Sequence, residues 1–498
     1  MSDSIFPGYS TGQYFLMNKD RQVASFTIET SDLGEKISII KQNIPAMPIG
    51  FDNMAEWISR RKASKHNRHL RELMTRCGCN TAEGFIRVTH AASINDTFWI
   101  KSAEEDVQWD NISLYKNEFN ETISKLAFEG IGLYGVEFSS TSPELSTEGS
   151  FRKCWRREDG QIFLYKRGST GAKNAGLEPY GEVLASEIAS KICPESVRYE
   201  IAELHGQIAS KCKLFTDEKN GYVPISRYVG RYSDLSGILN FYEKIGAEEE
   251  FRRMAVLDAI TFNVDRHMGN YGVLIDNDTL ETKRMAPIFD FNLALLPYLV
   301  QKDFSSIGDS LLGYSPCIGE DFTRIGQVML TPAIRSDLKS LKGFTFTYRG
   351  NDQFPEERVK ALEQIVNKQV DAVLSQQILY TKDVFIPEEF LKDKAETRLN
   401  QEEQLKRLGK EIEKLPNVEC SFSHDESTPQ LVIRNRNIPN IEIQIFGDFS
   451  MSIENDGIEI SYADCLMENP QAAKWYVDVA NIVDGNEVEI QESPEISR

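Results

Sequence analysis

The chain has 498 residues, 41% of them hydrophobic, and its 76 acidic and 56 basic side chains leave a formal net charge of −20. That charge argues against direct nucleic-acid binding by the whole molecule, because neutralising phosphates needs clustered Lys and Arg. No apolar run approaches the roughly 18 residues a bilayer span requires, so no membrane partner is expected, and the length admits two to four domains.

The start, Met1-Ser2-Asp3-Ser4-Ile5-Phe6-Pro7, carries no basic segment followed by an apolar one, so secretion is not indicated. The eight cysteines are scattered, with Cys77 and Cys79 closest and no C-x-x-C, which fits reduced thiols in a cytoplasmic protein better than a disulfide or zinc framework. Residues 1–120 open with alternating strand character over Gln13 to Phe26 and a turn around Asn18 to Arg21, a hairpin pattern. A basic island, Arg60 to His69, lies between the apolar turns Met54–Ile58 and Leu70–Met74. It reads as a solvated helical face. His66 and His69 share helical spacing, but no further ligand completes a metal site. Phe98 to Lys101 and Trp109 to Tyr115 read as aromatic packing segments.

Chemistry begins at Ser146-Thr147-Glu148-Gly149-Ser150, a small-residue turn leading into a strand, whose N–H and hydroxyl groups could cover phosphates. It lacks both G-x-G-x-x-G and the Walker spacing. Gly160 to Lys166 is a turn followed by a β-rich run ending on a lysine, the placement used to contact nucleotide phosphates. Gly168 to Gly176 reads as a mobile connection. The helix over Pro179 to Ile192 follows, with Leu184, Ile188 and Ile192 beside Ala185 and Ala189 as its buried stripe. That stripe puts Glu182 on its border, as candidate partner of Lys166, and Glu187 towards solvent. Ile208 to Phe215 and Gly221 to Ile225 suggest the strand and hinge beside which an adenine ring would lie.

The densest signal is Asn263-Val264-Asp265-Arg266-His267-Met268-Gly269-Asn270. An aspartate with an asparagine five positions on matches a catalytic loop in which the first accepts a hydroxyl proton and the second holds Mg²⁺. Gly272–Ile275, the polar turn Asp276-Asn277-Asp278 and Met285–Phe289 form a hairpin pattern that brings Asn270 beside Asp290, the second metal candidate. Mg²⁺ favours this hard oxygen donor set shared with phosphates. Beyond the helical stretch Glu356 to Gln377, a charged linker helix over Lys392 to Lys414 ends at Pro416. Val418–Phe422, Gln430–Arg434, Ile441–Phe446 and Ile458–Tyr462 read as short strands and Pro470–Ile482 as a helix. Gly447-Asp448-Phe449 reads as a turn, and Asp484 to Arg498 as a frayed acidic tail.

The order of the Ser-Thr-Glu-Gly-Ser loop, strand lysine, Glu-Val-Leu-Ala-Ser helix, Asn-x-Asp-Arg-His-x-x-Asn loop and post-hairpin Asp-Phe resembles the HipA-like serine/threonine kinases, toxins of bacterial toxin–antitoxin systems, over roughly residues 120–390. The resemblance implies an α+β, bilobal protein-kinase-like fold. Its parts would be an N-terminal subdomain (1–120), a kinase N-lobe (121–228), a mainly helical C-lobe (229–394), and a linker helix with a small α+β domain (395–498). It implies ATP and Mg²⁺ as cofactors, Asp265 as base, Asn270 and Asp290 at the metal, and Lys166 on the phosphates, with Glu182 as its partner. The nucleotide loop would hold Ser146, Thr147, Gly149 and Ser150, with Ser150 or Ser146 open to autophosphorylation. Partners would be a protein substrate and a cognate antitoxin. Asn292 after Asp290-Phe291, the missing Ala-Pro-Glu and the missing His-Arg-Asp separate the chain from eukaryotic-type kinases. Two alternatives stand beside this reading: a catalytically silent ATP-binding protein, and a phosphoinositide-type lipid kinase, whose core shares the Asp-Arg-His-x-x-Asn form.

Overall fold

The computed structural model describes residues 10–31, 34–62, 74–75, 78–129, 142–147, 151–170, 175–229, 234–300, 303–304, 311, 314–319, 321–375, 405–424, 429–446, 451–455, 458–460, 465 and 469–483. The basic island from 63 to 69, Gly149, Ser150, the linker helix before 405, Gly447-Asp448-Phe449 and the acidic tail lie outside these residues. The chain divides into two compact units, Met1–Phe385 and Ile386–Arg498. Both mix helices with antiparallel sheets, an α+β class. No described helix is long and apolar enough to cross a membrane.

In the first unit, β1 (Ser10–Asn18) and β2 (Arg21–Ser31) make the expected hairpin, closed by a tight turn in which Lys19 takes a left-handed φ of 50°. β3 (Gly34–Gln42) and β4 (Phe98–Ser102) complete a sheet in the order β3-β2-β1-β4. Alternation sends Leu16, Phe26, Ile28 and Ile100 to one face, where they pack with Phe85 and Leu145. Trp99 leaves from the other face and joins Trp109, Ile112, Leu114 and Trp155 in a second cluster.

The second sheet carries the lysine. β5 (Lys153–Glu158), β6 (Gln161–Arg167), β7 (Tyr199–Leu204) and β8 (Gln207–Lys213) run in the order β5-β6-β8-β7. Asp159-Gly160 joins β5 to β6 and His205-Gly206 joins β7 to β8, all four residues with φ between 47° and 74°. Two positive φ values in a two-residue loop suit the right-handed strand twist, and glycine supplies one of them without strain. The Glu178–Ile192 helix packs on this sheet, burying Leu184, Ala185, Ile188, Ala189 and Ile192. Each large aliphatic side chain there contributes roughly 1.5–3 kcal/mol.

A third sheet, β9 (Asn220–Pro224), β10 (Gly272–Asp276) and β11 (Thr282–Met285), holds the hairpin after the Asp265 loop. The second hairpin strand ends earlier than the apolar run Met285–Phe289 suggests. Past Met285 the chain leaves the ladder and Ile288 forms a parallel bridge with Ser196, so these apolar residues are spent on packing between elements. The helices Leu235–Lys244, Glu248–Thr261, Phe322–Val328, Pro332–Ser340 and Glu356–Leu374 pack against one another. The second unit is an antiparallel meander of β12 (Val418–His424), β13 (Pro429–Asn435), β14 (Ile438–Phe446), β15 (Met451–Asn455) and β16 (Ile458–Ile460), with Leu431, Ile433, Ile441, Ile443 and Ile445 packed against the Pro470–Val483 helix.

One buried acid lies on the short 3-10 turn Pro143–Ser146 that leads towards β5. Glu144 accepts hydrogen bonds from Ser124 Oγ (3.1 Å) and the Trp155 N–H (2.9 Å), while its Oε2 has no partner. Burial pushes its carboxyl up to about 7. Below the unfolded value near 4.3 both states carry the proton and the group is neutral to stability. As pH rises towards 7 only the folded state retains it, so stability falls, in total by roughly 3 kcal/mol. Glu144→Gln should therefore melt at a similar temperature to the wild type at pH 4.5 and several degrees higher at pH 8. An equal difference at both pH values would remove the buried proton from the account.

Candidate active site

Lys166, the penultimate residue of β6, is buried at 7% exposure, and its ammonium finds two carboxylates. Its Nζ donates to Glu182 Oε1 at 2.9 Å and to Asp290 Oδ1. Burial works against the charged lysine, but Asp290 and Glu182 outweigh it and hold the proton above its ordinary range. Three elements remote in sequence thus share one cation. Glu182 is not at the border of the helix stripe: it is 1% exposed, and its second oxygen accepts from Ser210 Oγ on β8. Helical periodicity places a residue on a face, but only the sheet beneath supplies the partners that permit a charge there.

The helix reaches this position because residue 181 is glycine. A Cβ there would stand 2.9 Å from the Ala294 carbonyl oxygen, so any side chain would push apart the helix carrying Glu182 and the segment following Asp290. Asp290 itself has φ 62°, a left-handed conformation that aspartate tolerates better than most residues. Its N–H donates to Tyr199 Oη at 3.1 Å. Burial would raise its carboxyl, but the Lys166 charge, joined by Lys153 and Arg266, lowers it to about 2.

The loop from Asn263 to Asn270 is held by its own backbone and by one buried ion pair. Asn270 Nδ2 donates to the Asp265 carbonyl at 2.6 Å, and Asn263 Oδ1 accepts the Asp265 N–H at 3.1 Å. Arg266, 1% exposed, pairs with Asp258 through Nε (2.8 Å) and Nη2 (3.0 Å). Burial, then the nearby Asp290 charge, pushes the Asp265 carboxyl up to about 6. Two neighbouring carboxylates thus have opposite protonation preferences, the arrangement that separates a proton acceptor from a permanent anion.

Among the described residues nothing donates to Asn270 Oδ1 or Asp290 Oδ2, leaving one amide and one carboxylate oxygen available. Two hard oxygens of this kind fit Mg²⁺ shared with nucleotide phosphates. Among the described residues no group of three or more His, Cys, Asp or Glu could hold an ion unaided.

Ser146 and Thr147 serve the base of their loop: Ser146 is buried with Oγ donating to the Pro143 carbonyl, and Thr147 Oγ1 donates to the same carbonyl and accepts from the Trp155 indole. Gly168 to Gly176, expected to be a mobile connection, is tied at both described ends. Glu178 accepts from the Ser169 N–H (3.2 Å) and hydroxyl, from the Gly176 N–H (3.1 Å) and from Tyr298 Oη (3.0 Å). A glutamate at the first turn of the helix was the visible signal for that anchor. Lys153 was missed altogether. It pairs directly opposite Lys166 in the β5–β6 register, so both side chains leave the same face of the sheet, and its charge contributes to lowering Asp290. Counting back across the Asp159-Gly160 turn would have found it. Around the connection between β8 and β9, Phe215, Tyr222 and Phe289 form an aromatic cluster with centroids 5.2–5.7 Å apart, and Tyr222 Oη donates to the Gly269 carbonyl.

No protein-family model and no curated protein matches the chain. Among solved structures, a Helicobacter pylori proinflammatory kinase, CtkA, is similar at 16% identity, covering 45% of this chain and 93% of its own, with a TM-score of 0.35. A chain from the Shewanella oneidensis MR-1 toxin–antitoxin complex of HipA, HipB and operator DNA is similar at 11% identity, covering 73% of this chain and all of its own, with a TM-score of 0.42. At such scores the overlaps carry no argument, and the chemistry rests on the geometry described above.

Gly181→Ala tests the close approach of the helix to Ala294. It should lower the melting temperature by an amount corresponding to about 1–3 kcal/mol, because the obstacle is backbone and cannot rotate away. A variant as stable as the wild type would show that the two elements are not wedged at this point.

Proposed function

We propose that the chain is an ATP- and Mg²⁺-dependent serine/threonine protein kinase of the HipA-like type, with the second and third sheets and their helices forming the two lobes. The observation that carries the reading is the single ammonium of Lys166 between Glu182 and Asp290, with Asp265 and Asn270 on the adjoining loop. Phosphoryl transfer asks little covalent work of a protein; it asks for positioning and for charge where the phosphates sit. Glu182 orients Lys166 towards the nucleotide phosphates, and Lys153 offers a second cation from the same sheet face. Asp265, whose carboxyl lies near 6 and so is ionised at neutral pH, accepts the proton of the acceptor hydroxyl. Asn270 and Asp290 are the residues that would hold Mg²⁺, which when bound supplies neutralisation of the charge shared by the transferring and leaving phosphates.

The substrate is a protein hydroxyl, and by the sequence resemblance a cognate antitoxin is the expected partner. By the same resemblance, Ser150 or Ser146 is the serine whose self-phosphorylation would silence the enzyme.

Intact mass before and after incubation with ATP and Mg²⁺ tests this. The wild type should gain one phosphate, mapped to Ser150 or a neighbour, and Asp265→Ala should gain none while still binding nucleotide. Transfer retained by Asp265→Ala would overturn the assignment of the base. Lys153→Met should raise the KM for ATP by about tenfold or more, as loss of one charge-assisted phosphate contact predicts; an unchanged KM would return Lys153 to a structural role.

A further inference from the structure

The two arms of the Asp265–Asn270 loop and the residue preceding Asp290 converge on one carboxylate that no motif singles out. Asp258 lies in the last turns of the Glu248–Thr261 helix and is 4% exposed. Its first arm is Asn263, 0% exposed, whose Nδ2 donates to Asp258 Oδ1 at 2.9 Å while its Oδ1 receives the N–H of Asp265 at 3.1 Å. The second arm is Arg266, gripped on Nε and Nη2 by both Asp258 oxygens. The remaining nitrogen, Nη1, donates to the carbonyl of Asn270 at 3.2 Å and to the carbonyl of Phe289 at 2.5 Å.

Asn270 and Asp290 are twenty positions apart, joined by a hairpin whose register shifts between Leu274 and Ile275. A hairpin with an irregular register does not by itself set the distance between its ends to a fraction of an ångström. One guanidinium nitrogen bonded to both backbones does, because its two acceptors must lie within hydrogen-bond reach of the same atom. Arg266 in turn cannot stay in this dry position without its carboxylate. We propose that Asp258 is the positioning residue of the site, placing the base Asp265 through Asn263 and setting the separation of the metal-holding residues Asn270 and Asp290 through Arg266. This rests on the phosphotransferase reading and adds to it a residue that touches neither nucleotide nor metal. The two arms are separable: losing the first misplaces the base, and losing the second misplaces the metal pair.

Full-length wild type, Asp258→Glu and Asn263→Ala are compared by thermal melting, by Mn²⁺ affinity in the presence of a non-hydrolysable ATP analogue, and by kcat and KM for the transfer reaction. Asp258→Glu keeps the charge and moves the anchor by one methylene. It should remain folded and lose about tenfold to a hundredfold in Mn²⁺ affinity, the range seen when groups supporting metal ligands are changed. Metal-free binding of the analogue should stay within threefold, since Lys166 and Glu182 are held by other elements. Asn263→Ala should do the reverse, with Mn²⁺ affinity within threefold of wild type and kcat down at least tenfold. Should Asp258→Glu fail to fold, Asn263→Ala and the conservative Arg266→Lys, which retains charge but not the fork, carry the same split between metal affinity and kcat. Mn²⁺ affinity unchanged in Asp258→Glu, or lowered equally in both arms, overturns the positioning role while leaving the kinase reading standing. A wild type that binds no Mn²⁺ with the analogue overturns both.

Discussion

A buried lysine organises this molecule's centre. Lys166 is buried, and an isolated ammonium there would carry a penalty of several kcal/mol, so it is tolerable only where carboxylates meet it. Glu182 and Asp290 meet it from a helix and from a segment more than a hundred residues further along the chain. The supporting features exist to let them do so. Gly181 permits close approach, the Ser196–Ile288 bridge and the Tyr199 hydroxyl steer the chain into Asp290, and Ser210 takes up the second oxygen of Glu182.

Beneath that triad lies a second buried pair with a different task. Asp258 and Arg266 sit behind the reactive groups, where a bidentate fork fixes direction as well as distance. The first pair brings elements together and the second spaces what they carry. Buried ion pairs are weak evidence of stability, because desolvation offsets most of the attraction. They are better understood here as devices that admit one arrangement and penalise every other.

Charge also separates the roles of the two aspartates. Lys166, Lys153 and Arg266 keep Asp290 an anion, whereas burial and the Asp290 charge itself raise Asp265. A permanent anion suits a metal and a carboxyl that titrates near neutrality suits a proton acceptor. Glu178 applies the same logic at the edge of the site, where a carboxylate at a helix start accepts from the N–H groups of Ser169 and Gly176 and from the Tyr298 hydroxyl.

Much of the local architecture was legible in the chain. Alternation and turn residues located the Asn18–Arg21 hairpin and the lysine strand, and helical spacing located the stripe of Leu184, Ile188 and Ile192, because these signals act over a few residues and burial selects them directly. The Asp265 to Asn270 spacing and the aspartate after the hairpin were visible for the same reason. What the chain alone left undecided were relations between elements: that Lys153 stands opposite Lys166, that Glu182 is fully buried, that the chain past Met285 leaves its ladder for a bridge to Ser196, and that Asp258 gathers both arms of the loop. Local patterns determine which face of an element is apolar and where it turns. Which charges can be buried is decided only when distant elements bring their partners, since a carboxylate or guanidinium is stable in the interior through contacts that no neighbouring residue in sequence provides.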